Sequence, residues 1–291
     1  MRGRKFNQKA VPAVAEGFFR LCAWISLIAL AVIVIFLIIQ GLPAFQELGL
    51  GPILFGDTWK PSADLYGIAP MIVASFLCTA GAVLIGSLIG IFTAMFLAQV
   101  APARLAKLVR PLTNLLAGIP SVVFGFFGMV VLVPLISQVF GGTGNSALAV
   151  IIILAVMILP TVISIGETAL RAVPKEYQEG SLALGASPMQ TLMRVTLPAA
   201  KSGILTAIVL AVGRAIGETM AVILVAGNRA FFPTSLLDPV RPMTANIALE
   251  LSYASGLHEQ ALYATGLVLL AFIVIINLVA HRLAHGKKDK S

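Results

Sequence analysis

Residues 179–198 read EGSLALGASPMQTLMRVTLP, a polar, helix-forming stretch set between strongly apolar blocks. Its reading decides the fold, because a polar segment between such blocks has to face something soluble. Gly185 supplies a backbone conformation that a Cβ would penalise. Pro188 suits the first turn of a second helix, and Pro198 marks re-entry toward the next apolar block. The stretch is therefore expected to form an elbow of two short helices bent near 185–188, exposed on one side of a membrane.

Composition agrees with that setting. The chain has 291 residues, of which 59% are hydrophobic and 11% charged. A soluble domain carries roughly 25% charged residues, so this chain lacks the polar groups to cover a soluble surface. The class is an all-α polytopic membrane protein, a single transmembrane domain over 1–291. Six apolar blocks are long enough to cross a bilayer: about 18–40, 68–98, 112–140, 147–170, 203–227 and 259–281. The second and third are long enough to need tilt or a break. Pro120 and Pro134 favour a break in the third, where Gly118, Gly125 and Gly128 allow close backbone approach. The first block follows a basic N-terminus but is too long for a signal-peptide core, so it is read as an uncleaved span. Cys22 and Cys78 both lie in apolar stretches and imply neither a disulfide nor a metal site.

The formal net charge is +8. In a membrane chain the basic residues determine topology rather than point to a nucleic-acid partner. Arg2, Arg4, Lys5, Lys9 and Arg20 precede the first span. Arg104, Lys107 and Arg110 follow the second, Arg171, Lys175, Arg194 and Lys201 follow the fourth, and Arg282, Lys287, Lys288 and Lys290 follow the sixth. Only Lys60, Arg229 and Arg241 fall on the opposite side. The positive-inside rule places both termini and the 171–202 loop in the cytoplasm. Of the outward segments, 41–67 and 228–258 are long, and Gly141 to Asn145 is a tight turn. Met243 to Ser255 has apolar residues at helical spacing; it is either an amphipathic connector along the interface or a docking surface for an external protein. His258, His281 and His285 have no ligand spacing and are read as surface or interfacial. The basic tail HRLAHGKKDKS would attract anionic lipid.

Arg214 and Glu218 stand inside the fifth span, in GRAIGETMAV, residues 213–222. Spaced i, i+4, they are expected on one helical face within a few ångströms of the bilayer centre. A charge there costs about 2.5–3.5 kcal/mol even on the mild insertion scale, so such residues face a bundle interior or a wet cavity. Two readings stand: a self-neutralising pair that locks packing, or a guanidinium fork offered to an oxyanion in transit, with Glu218 orienting it or taking a proton. Gly213 with Gly217, and Gly86 with Gly90, form GxxxG patterns read as packing sites. Ile165-Gly-Glu-Thr echoes Ile216-Gly-Glu-Thr; Glu167, near the end of the fourth span, is read as a solvated end charge.

The 179–198 stretch resembles the signature loop of ABC-transporter permeases. Glu179, Gly180, Ser181, Gly185, Val195, Leu197 and Pro198 keep every spacing of that loop, with Gly180, Ser181 and Val195 as mild departures from Ala, Ala and Ile. GRAIGETMAV and the third-span string GIPSVVFGFFG (118–128) resemble the permeases of the phosphate-specific importer, the C-type subunit in particular. The resemblance implies a type I importer permease and a mechanism in which Glu179, Gly180, Ser181, Gly185, Leu197 and Pro198 dock a cytoplasmic ATPase while Arg214 and Glu218 serve substrate translocation. It also implies a related permease subunit as heterodimer partner, two ATPase subunits, and a phosphate-binding protein outside a bacterial inner membrane. The chain has no GxxxxGK[ST] phosphate loop, so ATP chemistry is expected from the partners and no cofactor is expected here. A permease for sulfate, molybdate or phosphonate, a secondary transporter working alone, and a regulatory membrane subunit are the competing readings.

Overall fold

The computed structural model describes residues 10–285. Arg2, Arg4, Lys5, Lys9, Lys287, Lys288 and Lys290, expected to flank the spans, lie outside that range, as do the side chains of His281 and His285. In chain order the helices are α1 (Ala10–Leu48) and α2 (Leu50–Phe55), then a hairpin of β1 (Trp59–Lys60) and β2 (Leu65–Tyr66). There follow α3 (Ala69–Met95), α4 (Ala103–Gly118), α5 (Ser121–Phe127), α6 (Val133–Phe140) and α7 (Ala147–Arg171). The remainder is α8 (Lys175–Ala183), α9 (Pro188–Thr191), α10 (Leu197–Ala199), α11 (Lys201–Ile216), α12 (Met220–Val225), α13 (Met243–Glu250) and α14 (Leu257–His285).

Among the described residues five helical stretches are long and apolar enough to cross a membrane: Ala15–Leu48, Ala69–Val100, Ser121–Phe140, Ala147–Arg171 and Leu257–Val279. A bent pair, Pro188–Ala199 and Lys201–Ile216, meets at 69° and passes the same length and hydropathy test only when its two arms are taken together. Backbone polar groups have no water partner in hydrocarbon, so helices that satisfy them internally are the only elements open to this composition.

The core is built on α3 against α7. A methyl added at Gly86 would sit 2.7 Å from Ile158 Cδ1, and one at Gly90 2.7 Å from Val162 Cγ1, so the two backbones meet where α3 has no side chains. These two glycines are packing sites, as their spacing suggested. Within this chain no side chain approaches Gly213 or Gly217. α12 packs on α5, where methyls at Gly125 and Gly128 would sit 2.6 Å from Ala221 Cα and 2.7 Å from Val225 Cγ1. Gly118, read as a third such site, has open space around it. α1 leans on α14, and residues 15–33 of it are exposed throughout.

Of the two prolines expected to break the third block, only Pro120 does so, at the Ile119–Pro120 junction between α4 and α5. Pro134 is absorbed by a wide π turn, Gly128–Leu132, just before it. Leu192–Thr196 before Pro198 repeats the device, whereas the π turn Phe96–Val100 ends at an extended Ala101 and the chain breaks before Pro102. A π turn shifts the hydrogen-bond ladder by one residue and accommodates an imino nitrogen with no proton to give.

Candidate functional site

The elbow forms as its residues dictate. α8 ends at Leu184, and Gly185 turns the chain with φ +85°. Nothing lies within 4 Å of where its Cβ would be, so the demand for glycine is conformational rather than steric. Ser187 then starts α9 with a reciprocal cap: its hydroxyl accepts from Gln190 N at 3.2 Å, and Gln190 Oε1 accepts from Ser187 N at 2.8 Å. Ser181 and Thr191 hydroxyls meet at 3.0 Å and tie the two arms together. Glu179, Gly180, Gly185 and Pro198 are exposed, while Ser181 and Leu197 are half-buried. Leu184, at the bend, is 91% exposed, with Tyr177 and Met189 also outside. Leu184 is thus an exposed apolar knob at the tip of the bend.

The midspan charges are arranged differently from the single-face reading. α11 ends at Ile216, and its 16 residues are too few to cross alone. Gly217 to Thr219 break the helix, and α12 resumes at Met220. Glu218 therefore does not share a continuous helical face with Arg214, and among the described residues the two form no ion pair. Instead Glu218 Oε1 accepts from Ala221 N at 3.2 Å, capping α12, and Thr244 Oγ1 donates to Glu218 O at 3.1 Å. Glu218 also lines a small, mostly apolar cleft whose other polar members are Ser75, Thr79 and Thr244. Arg214 is half-buried, flanked by the exposed Gly213 and Gly217. The self-neutralising pair is thus absent, and the guanidinium stands on an open face of this chain.

Two further polar clusters were missed from the sequence. Glu167 is not a solvated end charge: it is 8% exposed, and its Oε1 accepts from Arg110 Nε at 2.9 Å and Arg171 Nε at 2.8 Å. The signal was available in the i, i+4 spacing of Glu167 and Arg171; Arg110, far off in sequence, gave none. The first half of the 243–255 stretch packs inward as α13, while 251–253 stay exposed. Met243, Thr244, Ala245 and Asn246 are buried, and Glu250 joins Arg241 Nη1 (2.6 Å), Trp59 Nε1 (2.8 Å) and His258 Nε2 (2.8 Å). His258 is thus half of a buried contact rather than a free surface group.

The arrangement, a multi-pass helical bundle with a protruding polar elbow, matches what is known of other proteins. Residues 86–288 match the family described as binding-protein-dependent transport system inner membrane component. The probable ABC transporter permease protein YqgH of Bacillus subtilis (strain 168) is 42% identical over 272 residues, covering 90% of this chain and 88% of that protein. The phosphate transport system permease protein PstC of Mesorhizobium japonicum is 32% identical, covering 92% of this chain and 88% of its own. PstC of Haemophilus influenzae is 30% identical, covering 98% and 96%. Among solved structures, an inward-facing MetNI methionine ABC transporter aligns with TM-score 0.62 at 20% identity over 79% of this chain and 99% of that one. A bacterial alginate ABC transporter, in complex with an alginate pentasaccharide-bound periplasmic protein, aligns with TM-score 0.63 at 16% identity over 96% and 98%. Those two likenesses show the type I importer fold, and the sequence matches give the resemblance to phosphate permeases its substance. On these grounds the chain belongs to the binding-protein-dependent transport system inner membrane component family and is a multi-pass permease subunit of an ABC importer.

Proposed function

We propose that this subunit forms half of the pathway by which a bacterium imports inorganic phosphate across its inner membrane, driven by separate ATPase subunits. One observation carries the reading: Arg214, at a helix break well inside the span, has no carboxylate partner among the described residues and sits on an open face. At that depth neither a guanidinium nor an interrupted backbone tolerates lipid, so this face meets protein or water. A related permease subunit packed against it would enclose a wet path with Arg214 on its wall, offering a planar donor fork to a phosphate oxygen. Glu218 keeps a negative charge nearby and moderates retention of the anion. Several relatives across nearly the whole chain carry the name phosphate transport system permease, which favours phosphate over sulfate, molybdate or phosphonate.

The elbow of Glu179, Gly180, Ser181, Gly185, Leu197 and Pro198 receives force from two cytoplasmic ATPase subunits, with Leu184 as the knob that engages them. The 69° turn between Pro198 and α11 passes elbow motion straight into the helix that bears Arg214. Both termini face the cytoplasm under the positive-inside rule, and a phosphate-binding protein delivers cargo from the other side. The test is labelled-phosphate uptake by the reconstituted complex, with unlabelled sulfate as competitor. ATP-dependent uptake that sulfate leaves intact and Arg214→Gln lowers by about tenfold or more, the worth of one charge-assisted hydrogen bond, is expected. Uptake without ATP by the lone chain would identify a secondary transporter instead.

A further inference from the structure

A second anion site lies away from the midspan path. α4 crosses α7 near the end of α7, and between them is a cavity of about 360 Å³, within the range of small-ligand pockets. Two guanidiniums open into it. Arg110 and Arg171 converge on one oxygen, Glu167 Oε1, through Arg110 Nη2 and Arg171 Nε, both at 2.8 Å. Arg171 is further pinned by its Nη2 donating to Leu97 O at 2.9 Å. The carboxylate is almost covered, its side chain 10% exposed, whereas the arginine side chains are 41% and 48% exposed. Glu167 therefore acts as a buried anchor that fixes two forks by their inner edges. Nη1 of both arginines makes no hydrogen bond among the described residues, and both residues line the cavity. Two positive charges against one negative leave the wall net cationic, and no other acid lines it. Asn114 and Ser164 add uncharged hydrogen-bonding groups.

We propose that this cavity between α4 and α7 is a binding site for a phosphate-class oxyanion, held by the outer edges of Arg110 and Arg171. Fixed forks lose little rotamer freedom on binding and match the geometry of phosphate oxygens. The basic side of the chain puts the site at the cytoplasmic membrane surface. Both free phosphate and the phosphodiester of an anionic lipid present that chemistry there. The proposal stands independently of Arg214, and the test removes that arginine.

The complex carrying Arg214→Gln is reconstituted in nanodiscs of phosphatidylcholine, or of phosphatidylcholine with phosphatidylglycerol. Binding of inorganic phosphate is titrated in the first, and retained phosphatidylglycerol is read by native mass spectrometry in the second. Each is repeated with Arg110→Lys/Arg171→Lys, which keeps the charge opposite Glu167 but removes the forks, and with Arg110→Gln/Arg171→Gln/Glu167→Gln, which removes the whole cluster without stranding a charge. Phosphate binding weakened about tenfold or more by the lysine pair and lost in the triple variant identifies a free-oxyanion site. Lipid retention with the same dependence, and no phosphate binding, identifies a lipid-headgroup site. Either outcome supports the proposal. Phosphate and lipid binding that are absent, or unchanged in both variants, overturns it and leaves the cluster as a packing lock. Failure of Arg214 in uptake leaves this result untouched, because the binding is read without it.

Discussion

At the residue scale, the same four letters have opposite fates. Ile165-Gly-Glu-Thr continues through an unbroken helix and Glu167 is held by two arginines, whereas Ile216-Gly-Glu-Thr ends a helix and Glu218 caps the next one. Local sequence cannot separate them, because a methyl added at Gly166 would sit 3.1 Å from Ala94 Cβ, while one at Gly217 would meet no side chain. Glu218→Gln is expected to keep the cap, since an amide oxygen still accepts from Ala221 N, while removing the charge. Its complex should assemble with wild-type yield on size exclusion yet transport poorly; normal uptake would remove Glu218 from the path. Asp238, in the outward loop, is held below the usual carboxylate range chiefly by the Thr234 hydroxyl, then by the N–H groups of Ser235 and Thr234. A depressed folded value stabilises the loop above the ordinary carboxylate range, and that contribution is lost as pH falls through the folded value. Amide exchange over 234–238 is therefore expected to accelerate in acid, and Asp238→Asn to remove that pH dependence.

At the element scale, the elbow was the most legible part of the chain. Gly185, Ser187, Pro188 and Gln190 each carry a local rule, and the bend, cap and helix start follow from them. Gly185→Pro cannot adopt φ +85° and is expected to collapse the bend, losing ATPase co-purification; unchanged binding and hydrolysis would remove the elbow from coupling. Gly180, mid-helix with nothing near its Cβ position, is the reverse case. Gly180→Ala is expected to raise elbow stability by about 0.5–1 kcal/mol with coupling intact, measured by thermal unfolding alongside ATPase activity. The π turns ahead of Pro134 and Pro198 were less legible, because a proline reads equally as a break, as at Pro102, or as an absorbed defect. The packing around each decides which.

At the scale of the molecule, α3 and α7 form the fixed frame, and the charged and broken α11–α12 segment lies beside it with one face open. Gly90→Val would drive side-chain carbons into Val162, and a loss of about 1–3 kcal/mol is expected, seen as a lower melting temperature of the solubilised chain. Glu250 gathers Trp59, Arg241 and His258, joining the β1–β2 hairpin, the 228–242 loop and α14. Glu250→Ala leaves Arg241 without its carboxylate. A loss of about 3 kcal/mol is expected, with protease sensitivity appearing in the 228–242 loop first.

The sequence alone determined the class, the sidedness of its basic loops, the elbow and the family. Those rest on hydropathy, charge counts and fixed short spacings, all local quantities that survive without coordinates. Tertiary structure alone decided which glycines pack, which proline breaks, and that Arg214 and Glu218 are separated by a helix end. It also brought Arg110 to Glu167 and buried α13 around Glu250. Each of these depends on what lies across the bundle: a Cβ is excluded only by a neighbour, and a charge finds its partner only when helices distant in sequence are laid side by side.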